Sequence, residues 1–281
     1  ILVHGAAPQV NEQIEASGKT GGYKDGELFL SETTFPIAQR AIAATNWDLI
    51  TKLSNYGSDF FPITGHFLNA RKKSLPDPIG AKFIGEIKEV NLSAIHNVLE
   101  QNYIPVIPPL SAGKYGGQFI LDPNHIALEV AARIRAKKLI IITSANGHMM
   151  RHLNDVRQFT TLEIKNLLNS GTHLNKFTIN QFKALVEACE RGVERCHLLD
   201  SSINGILLGE ILTSAGMGIM ITNHSFQTVR GAKISDIHMI AEILKKPMHN
   251  TAILPKSLHY LEENIENFIV FAIDSEVVGC C

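Results

Sequence analysis

The chain has little that would commit it to nucleic-acid, membrane or metal chemistry. Of its 281 residues four are cysteine, and Cys189, Cys196, Cys280 and Cys281 match neither a zinc-site nor a redox spacing. Lys and Arg number 26 against 27 Asp and Glu, so the formal charge is −1. No basic block is interleaved with aromatics, and general attraction for nucleic acid or anionic lipid is not expected. Apolar runs such as Leu139–Ile142 are strand-length, well short of the roughly 20 residues that span a bilayer. No signal-peptide pattern is visible in a chain that begins at Ile1 without Met, and few unpatterned cysteines suit a reducing, cytoplasmic setting. Low-complexity segments and internal repeats are absent from the sequence.

Glycine is short where it would matter most. Ile1-Leu2-Val3 reads as a strand running into His4-Gly5-Ala6-Ala7-Pro8, with a helical pattern behind it. A strand feeding a small-residue turn at a helix start is how α/β proteins hold phosphate on backbone N–H groups. That cradle needs glycine, because a Cβ blocks the anion's approach. Ala6 and Ala7 therefore describe a phosphate scaffold whose contact surface has been filled in.

At 45% hydrophobic content the chain can bury one sizeable core or two. Helical patterns follow Pro8 and Glu32, the second to about Gly57, with a polar loop at 19–27 between them. The stretch 60–88 holds strand-like pieces around Pro76-Asp77-Pro78. Ser93 reads as the N-cap of a helix to Asn102, and Ile104–Ile107 as a short apolar strand. Pro123 opens a helix to Ala136. Leu139–Thr143 is a buried strand closed by a turn at Asn146-Gly147. Helix 175–191, strand 196–199, helix 205–213 and strand 216–221 come next. Apolar strands joined by helices imply a parallel sheet covered on both faces. The polar run 222–228 ends that rhythm. Strand-like residues from Ala232, two helices and a hairpin at 268–281 then read as a second domain. Both ends read as interior to a longer protein, since Ile1 lies in a strand pattern and Cys281 ends a hairpin with no further cap.

Several ordered motifs carry a family resemblance. Phe83–Asn91 (FIGEIKEVN), Leu99–Pro108 (LEQNYIPVIP), His197-Leu-Leu-Asp200, Leu207–Thr213 (LLGEILT) and Gly216-Met-Gly218 together resemble the amino-acid kinase family, nearest to its N-acetylglutamate kinases. The resemblance spans roughly residues 1–222. Residues 229–281 resemble the start of a GNAT acetyltransferase domain, with Arg230–Ile237 as its first strand and helix. A kinase-like domain joined to a GNAT domain is the layout of the N-acetylglutamate synthase family. The fold this implies is α/β: a three-layer amino-acid kinase-like fold with a mainly parallel central sheet over 1–222, a linker at 223–231, and a partial α+β GNAT segment at 232–281.

The resemblance can be carried residue by residue. The family's glycine-rich loop falls on His4–Ala7, where Ala6 and Ala7 intrude. Its substrate-binding arginine falls at Phe29, its substrate Asn and catalytic Asp at Ile120 and Asn124, and its phosphoryl-stabilising lysine at Gln181. Phosphoryl transfer depends on positioned positive charge and backbone donors, so their joint loss implies a degenerate kinase unit. In arginine-sensitive members the effector lies near the His-Leu-Leu-Asp strand, and His197, Glu210 and Gly216 fall at the matching positions. A carboxylate such as Glu210 can pair with a guanidinium. The GNAT pyrophosphate loop would lie beyond Cys281, with the catalytic residues. Lys256 could meet a substrate carboxylate, though a solvated lysine is the simpler reading.

The implied activity is acetyl transfer from acetyl-CoA to L-glutamate, the first step of arginine biosynthesis. L-arginine would be the effector, and a homo-oligomer would form through the kinase-like domain, without metal, nucleic acid or membrane. The alternatives are an ATP-dependent N-acetylglutamate kinase and a non-catalytic arginine-binding regulator. His4 reads as ordering its loop, Trp47 as helix packing, Cys280 and Cys281 as apolar strand filling. His148, His152 and His173 lack the carboxylate or cysteine pattern of a metal site.

Overall fold

A computed structural model describes residues 1–24, 26–65, 67–73, 81–113, 116–144, 157–170, 174–213, 216–223, 227–249, 256–273 and 276–281. The chain divides into two compact units, Ile1–Ile221 and Thr222–Cys281, described in turn. Pro76–Pro78, Asn146-Gly147, His148, His152 and His173 lie outside the described residues.

The first unit opens β1 (Leu2–Val3), α1 (Ala7–Ala16), β2 (Gly22–Lys24), β3 (Glu27–Phe29) and α2 (Phe35–Ser54). It continues β4 (Phe60–Pro62), β5 (Leu68–Lys72), β6 (Gly85–Val90), α3 (Leu92–Glu100), β7 (Ile104–Ile107), β8 (Leu110–Ala112), β9 (Gln118–Ile120) and α4 (Pro123–Arg133). Then come β10 (Lys138–Thr143), β11 (Gln158–Thr160), α5 (Thr161–Asn169), α6 (Lys176–Glu190), β12 (Arg195–Asp200), α7 (Ile206–Leu212) and β13 (Ile219–Thr222). Strands β1, β7 and β4 pair in parallel, as do β10 and β12 over their whole length. Strand β13 runs antiparallel to β12, with His197 opposite Met220. Mixed pairing joins β6, β5, β8 and β9.

Helix α4 shows how the halves of this unit cohere. Ile126 and Val130 belong to the apolar cluster with Leu68, Val90, Ile95 and Ile107. Leu128 and Ala131, on the other face, belong to the cluster with Phe182, Leu185, Cys196 and Leu198. A helix buried on both faces loses its polar stripe, which is why 126–132 reads Ile-Ala-Leu-Glu-Val-Ala-Ala. Glu129 is the exception, and it is neutralised. Arg191 grips it through Nη1 at 2.5 Å and Nη2 at 3.1 Å, and Arg133 Nε adds 2.9 Å. The hydrogen bond from Arg191 leads in holding its carboxyl at about 2 against the opposing cost of burial. This cluster ties α4 to the end of α6.

Three sequence readings change in detail. Helix α3 is capped by Asn91, whose side chain accepts from the Ala94 N–H at 3.3 Å, two residues before Ser93. The loop expected at 19–27 contains the β2–β3 hairpin, because three-residue strands are too short to show alternation. Trp47 is 69% exposed. The buried stripe of α2 is Phe35, Ala38, Ala41, Ile42 and Asn46, and Trp47 lies one residue, about 100°, beyond it.

The second unit comprises β14 (Gln227–Gly231), α8 (Ile237–His249), α9 (Leu258–Glu263), β15 (Ile269–Ile273) and β16 (Glu276–Cys280). Residues 227–231, expected as linker, are therefore a strand: Thr228 to Gly231 pair with Ala272 to Ile269, and that tertiary pairing overrides the polar local composition. Ile237, Ile240, Leu261, Val270 and Val277 form its core. Arg230 clamps buried Asp236 at 2.6 and 3.0 Å, and the Lys233 N–H donates to the same carboxylate. Cys280 is half-buried against this core, whereas Cys281 is exposed. Among the described residues no helix is long and apolar enough to cross a membrane.

Replacing Glu129 with Ala leaves Arg191 without its buried partner. It should cost about 2–3 kcal/mol of stability, toward the low end for a buried pair because Arg191 is partly solvated. Urea unfolding of Glu129→Ala checks this, and an unchanged midpoint would contradict the role given to the cluster.

Candidate functional site

The loop after β1 is closed by its own contacts. His4 Nε2 meets Asn46 Oδ1 at 3.0 Å and its Nδ1 meets the Gly5 carbonyl at 3.0 Å, so the ring orders the loop against α2. Ala6 is the N-cap of α1 and offers no side-chain cap. It is buried in one apolar cluster with Val10, Ile42 and Ile120. Two positions where the resemblance implies polar substrate contacts are thus core. Burying Ile120 stabilises by roughly 2 kcal/mol, which a polar residue there would forfeit. Asn124 is brought near, since Gly5 faces Pro123, but its amide and backbone N–H are spent on Asp122 Oδ1. Gln181 sits apart, inside α6 and 1% exposed, and its Oε1 has no hydrogen-bond partner among the described residues. Phe29 is exposed on β3. Ala7 is half-buried in the first turn of α1. This set offers neither a glycine cradle nor a positioned cation.

A second centre is fully assembled. Residues of β12 alternate: Cys196 and Leu198 face the α4–α6 cluster, which turns His197 to the opposite face. There its Nδ1 meets Glu210 Oε1 of α7 at 2.6 Å. Both residues are buried, 4% and 8% exposed. Glu210 Oε2 accepts from the N–H groups of Met217 at 2.5 Å and Gly218 at 2.7 Å. Burial pushes its pKa up, but the hydrogen bonds from His197, Met217 and Gly218 outweigh that and hold it at about 2. Glycine is required in the facing turn. Gly216 has φ +64°, and a Cβ on Gly218 would lie 2.2 Å from Leu199 Cδ2 and 2.8 Å from the Leu198 carbonyl.

The structure thus brings His197, Glu210 and Gly216 together. It also shows what sequence reasoning missed. The sequence suggests that Glu210 offers its carboxylate to a cation, yet three internal donors already hold it. The Gly216 carbonyl accepts from Arg157 Nη1 at 3.0 Å. His197 Nε2 is buried with no hydrogen-bond partner among the described residues. Met217 and Gly218 lie in the Gly216-Met-Gly218 motif, which does not by itself show that their N–H groups bind Glu210, and Arg157 carries no local sequence signal. Lys256 is exposed, and its ammonium sits 3.9 Å over the Tyr260 ring. Among the described residues no three His, Cys, Asp or Glu converge as a metal site.

This architecture defines the class. A family model for the amino acid kinase family matches residues 1–200, and the chain belongs to that family. Within it, the chain is 27% identical to the amino-acid acetyltransferase of Shewanella oneidensis over its entire length, spanning 65% of that protein. It is 30% identical to an acetylglutamate kinase of a Thermoanaerobacter species over 80% of this chain and 77% of that one. A solved N-acetylglutamate synthase from Neisseria gonorrhoeae, complexed with coenzyme A and L-arginine, superposes with a TM-score of 0.81 at 26% identity, covering 99% of this chain and 66% of that one. The chain thus spans just under two thirds of the acetyltransferases it resembles.

Because Glu210 is held at about 2, below the ordinary 4.5, the stability its ionised form confers is complete above about pH 5 and is lost as pH falls toward 2. Glu210→Gln should cost roughly 2–3 kcal/mol near neutrality, since an amide nitrogen cannot accept from the loop N–H groups. The gap from wild type in urea midpoints should narrow between pH 6 and pH 3. A gap independent of pH would contradict the ionised assignment.

Proposed function

We propose that this chain belongs to an amino-acid N-acetyltransferase, an N-acetylglutamate synthase, which transfers the acetyl group of acetyl-CoA to the amine of L-glutamate. The observation that carries this reading is the reach of the similarity. Likeness to amino-acid acetyltransferases runs through all of the chain, whereas likeness to acetylglutamate kinases covers about four fifths of it. The second unit, Thr222–Cys281, lies outside residues 1–200, which the family model matches. On this reading residues 1–222 are a degenerate, regulatory kinase-like domain and 232–281 begin a GNAT domain. The amine must be neutral to attack the thioester carbonyl, and the oxyanion so formed must be stabilised. The groups that do this are assigned beyond Cys281, with Lys256 at most a contact for a substrate carboxylate.

The first unit would serve as an L-arginine sensor and as the oligomerising part of a cytoplasmic enzyme. Support comes from the His197–Glu210–Gly216 centre, buried and built, with His197 Nε2 left without a partner among the described residues. ATP-dependent phosphorylation is disfavoured by a loop whose Ala6 is core, by apolar Ile120 and by neutral Gln181.

Full-length protein should acetylate L-glutamate with acetyl-CoA and show no ADP release dependent on N-acetylglutamate. Side-by-side turnover assays check this, and robust ADP release would overturn the assignment. The double variant Ala6→Gly, Ala7→Gly should remain without kinase activity, because groups that act as a unit are not restored singly. Phosphoryl transfer above background in that variant would show that Ile120, Asn124 and Gln181 are misassigned.

A further inference from the structure

The turn at Gly216 already holds a guanidinium. Arg157 Nη1 donates to the Gly216 carbonyl at 3.0 Å. The contact is anchored, because the Arg157 carbonyl accepts from the Met220 N–H at 2.7 Å. Backbone and side chain of one residue thus bracket the 216–220 stretch, which lowers the entropy cost of keeping the side chain there. Among the described residues the Arg157 guanidinium makes no ion pair. It is an exposed cation resting on a neutral carbonyl, and such a contact is readily exchanged. Gly216 is one of the three residues of the proposed effector site, and a carbonyl that accepts one guanidinium offers the same acceptor to that of free arginine.

We propose that Arg157 is a built-in competitor at the Gly216 carbonyl, so that free L-arginine binds by displacing it. This rests on the arginine-sensor reading above. Apparent affinity is then lowered by the fraction of time the carbonyl is taken, which is the ordinary cost of a partly populated competent state. The residue would set the arginine concentration at which the sensor responds without belonging to the acetyl-transfer machinery. A carboxylate already saturated by His197, Met217 and Gly218 shapes the turn, while the exchangeable position lies at the carbonyl.

Calorimetric titration of L-arginine into full-length wild type and Arg157→Ala tests this. Removing the competitor should tighten binding by about three- to tenfold, and the ratio should persist in 0.5 M NaCl, where exposed charges more than about 4–5 Å apart are screened. Equal or weaker binding by Arg157→Ala overturns the proposal while leaving the sensor reading intact. A gain that vanishes at high salt also overturns it, assigning the effect to charge repulsion. Absence of arginine binding in both proteins removes the sensor reading and this proposal with it.

Discussion

The carboxylate of Glu210 holds three separate pieces of chain in one place. Through Oε1 it fixes the His197 ring on the central strand β12, and through Oε2 it collects two successive N–H groups of the turn that leads into β13. Without it the turn would present unsatisfied buried donors and α7 would lose its buried polar anchor. The requirement spreads outward. The turn can approach only because residues 216 and 218 are glycine, and β12 can present His197 only because its alternate residues are held by the α4–α6 cluster. The order of the first unit on this side therefore passes through one ionised group with its pKa held at about 2.

The other candidate centre is organised by the opposite principle. There the loop after β1 has been made apolar and filled, with Ala6 and Ile120 packed in one cluster and His4 turned to Asn46. A chain can keep the fold of a phosphotransferase while losing its chemistry if each polar position is exchanged for one that packs. Such exchanges add stability at the positions that catalysis had left strained or unsatisfied. The centre at β12 keeps polar groups, with Glu210 satisfied internally and His197 Nε2 without a partner among the described residues. On the proposed reading the two outcomes belong together: the scaffold was kept for sensing and the chemistry passed to the adjoining acetyltransferase domain.

Much of this is legible in the sequence for identifiable reasons. Helix α4 announces itself through Asp122-Pro123 at its start, and α6 through Asn175, because capping is local chemistry. Strand β12 is buried on both faces, whereas β10 reads as a continuous apolar run although one face is open, with Ile142 48% exposed. The β2–β3 hairpin and β14 are not legible in this way, since short strands take their identity from partners distant in sequence. Helix α5 escapes the sequence reading although Thr160 and Glu163 form a capping box, a signal that four residues can carry. In the candidate site, His197, Glu210 and Gly216 lie within about twenty residues and can be read as a set. Arg157, 59 residues before Gly216, cannot, because no spacing rule connects them.

On the proposed reading this kinase-fold unit binds arginine at the β12 centre and has given up nucleotide at the loop after β1. Hydrogen–deuterium exchange on the full-length protein, with L-arginine or with magnesium ATP and N-acetylglutamate added, addresses both halves in one measurement. On that reading exchange slows in residues 197–222 with L-arginine and does not change in residues 4–10 with ATP. Protection of residues 4–10 by ATP, with residues 197–222 indifferent to L-arginine, would contradict it.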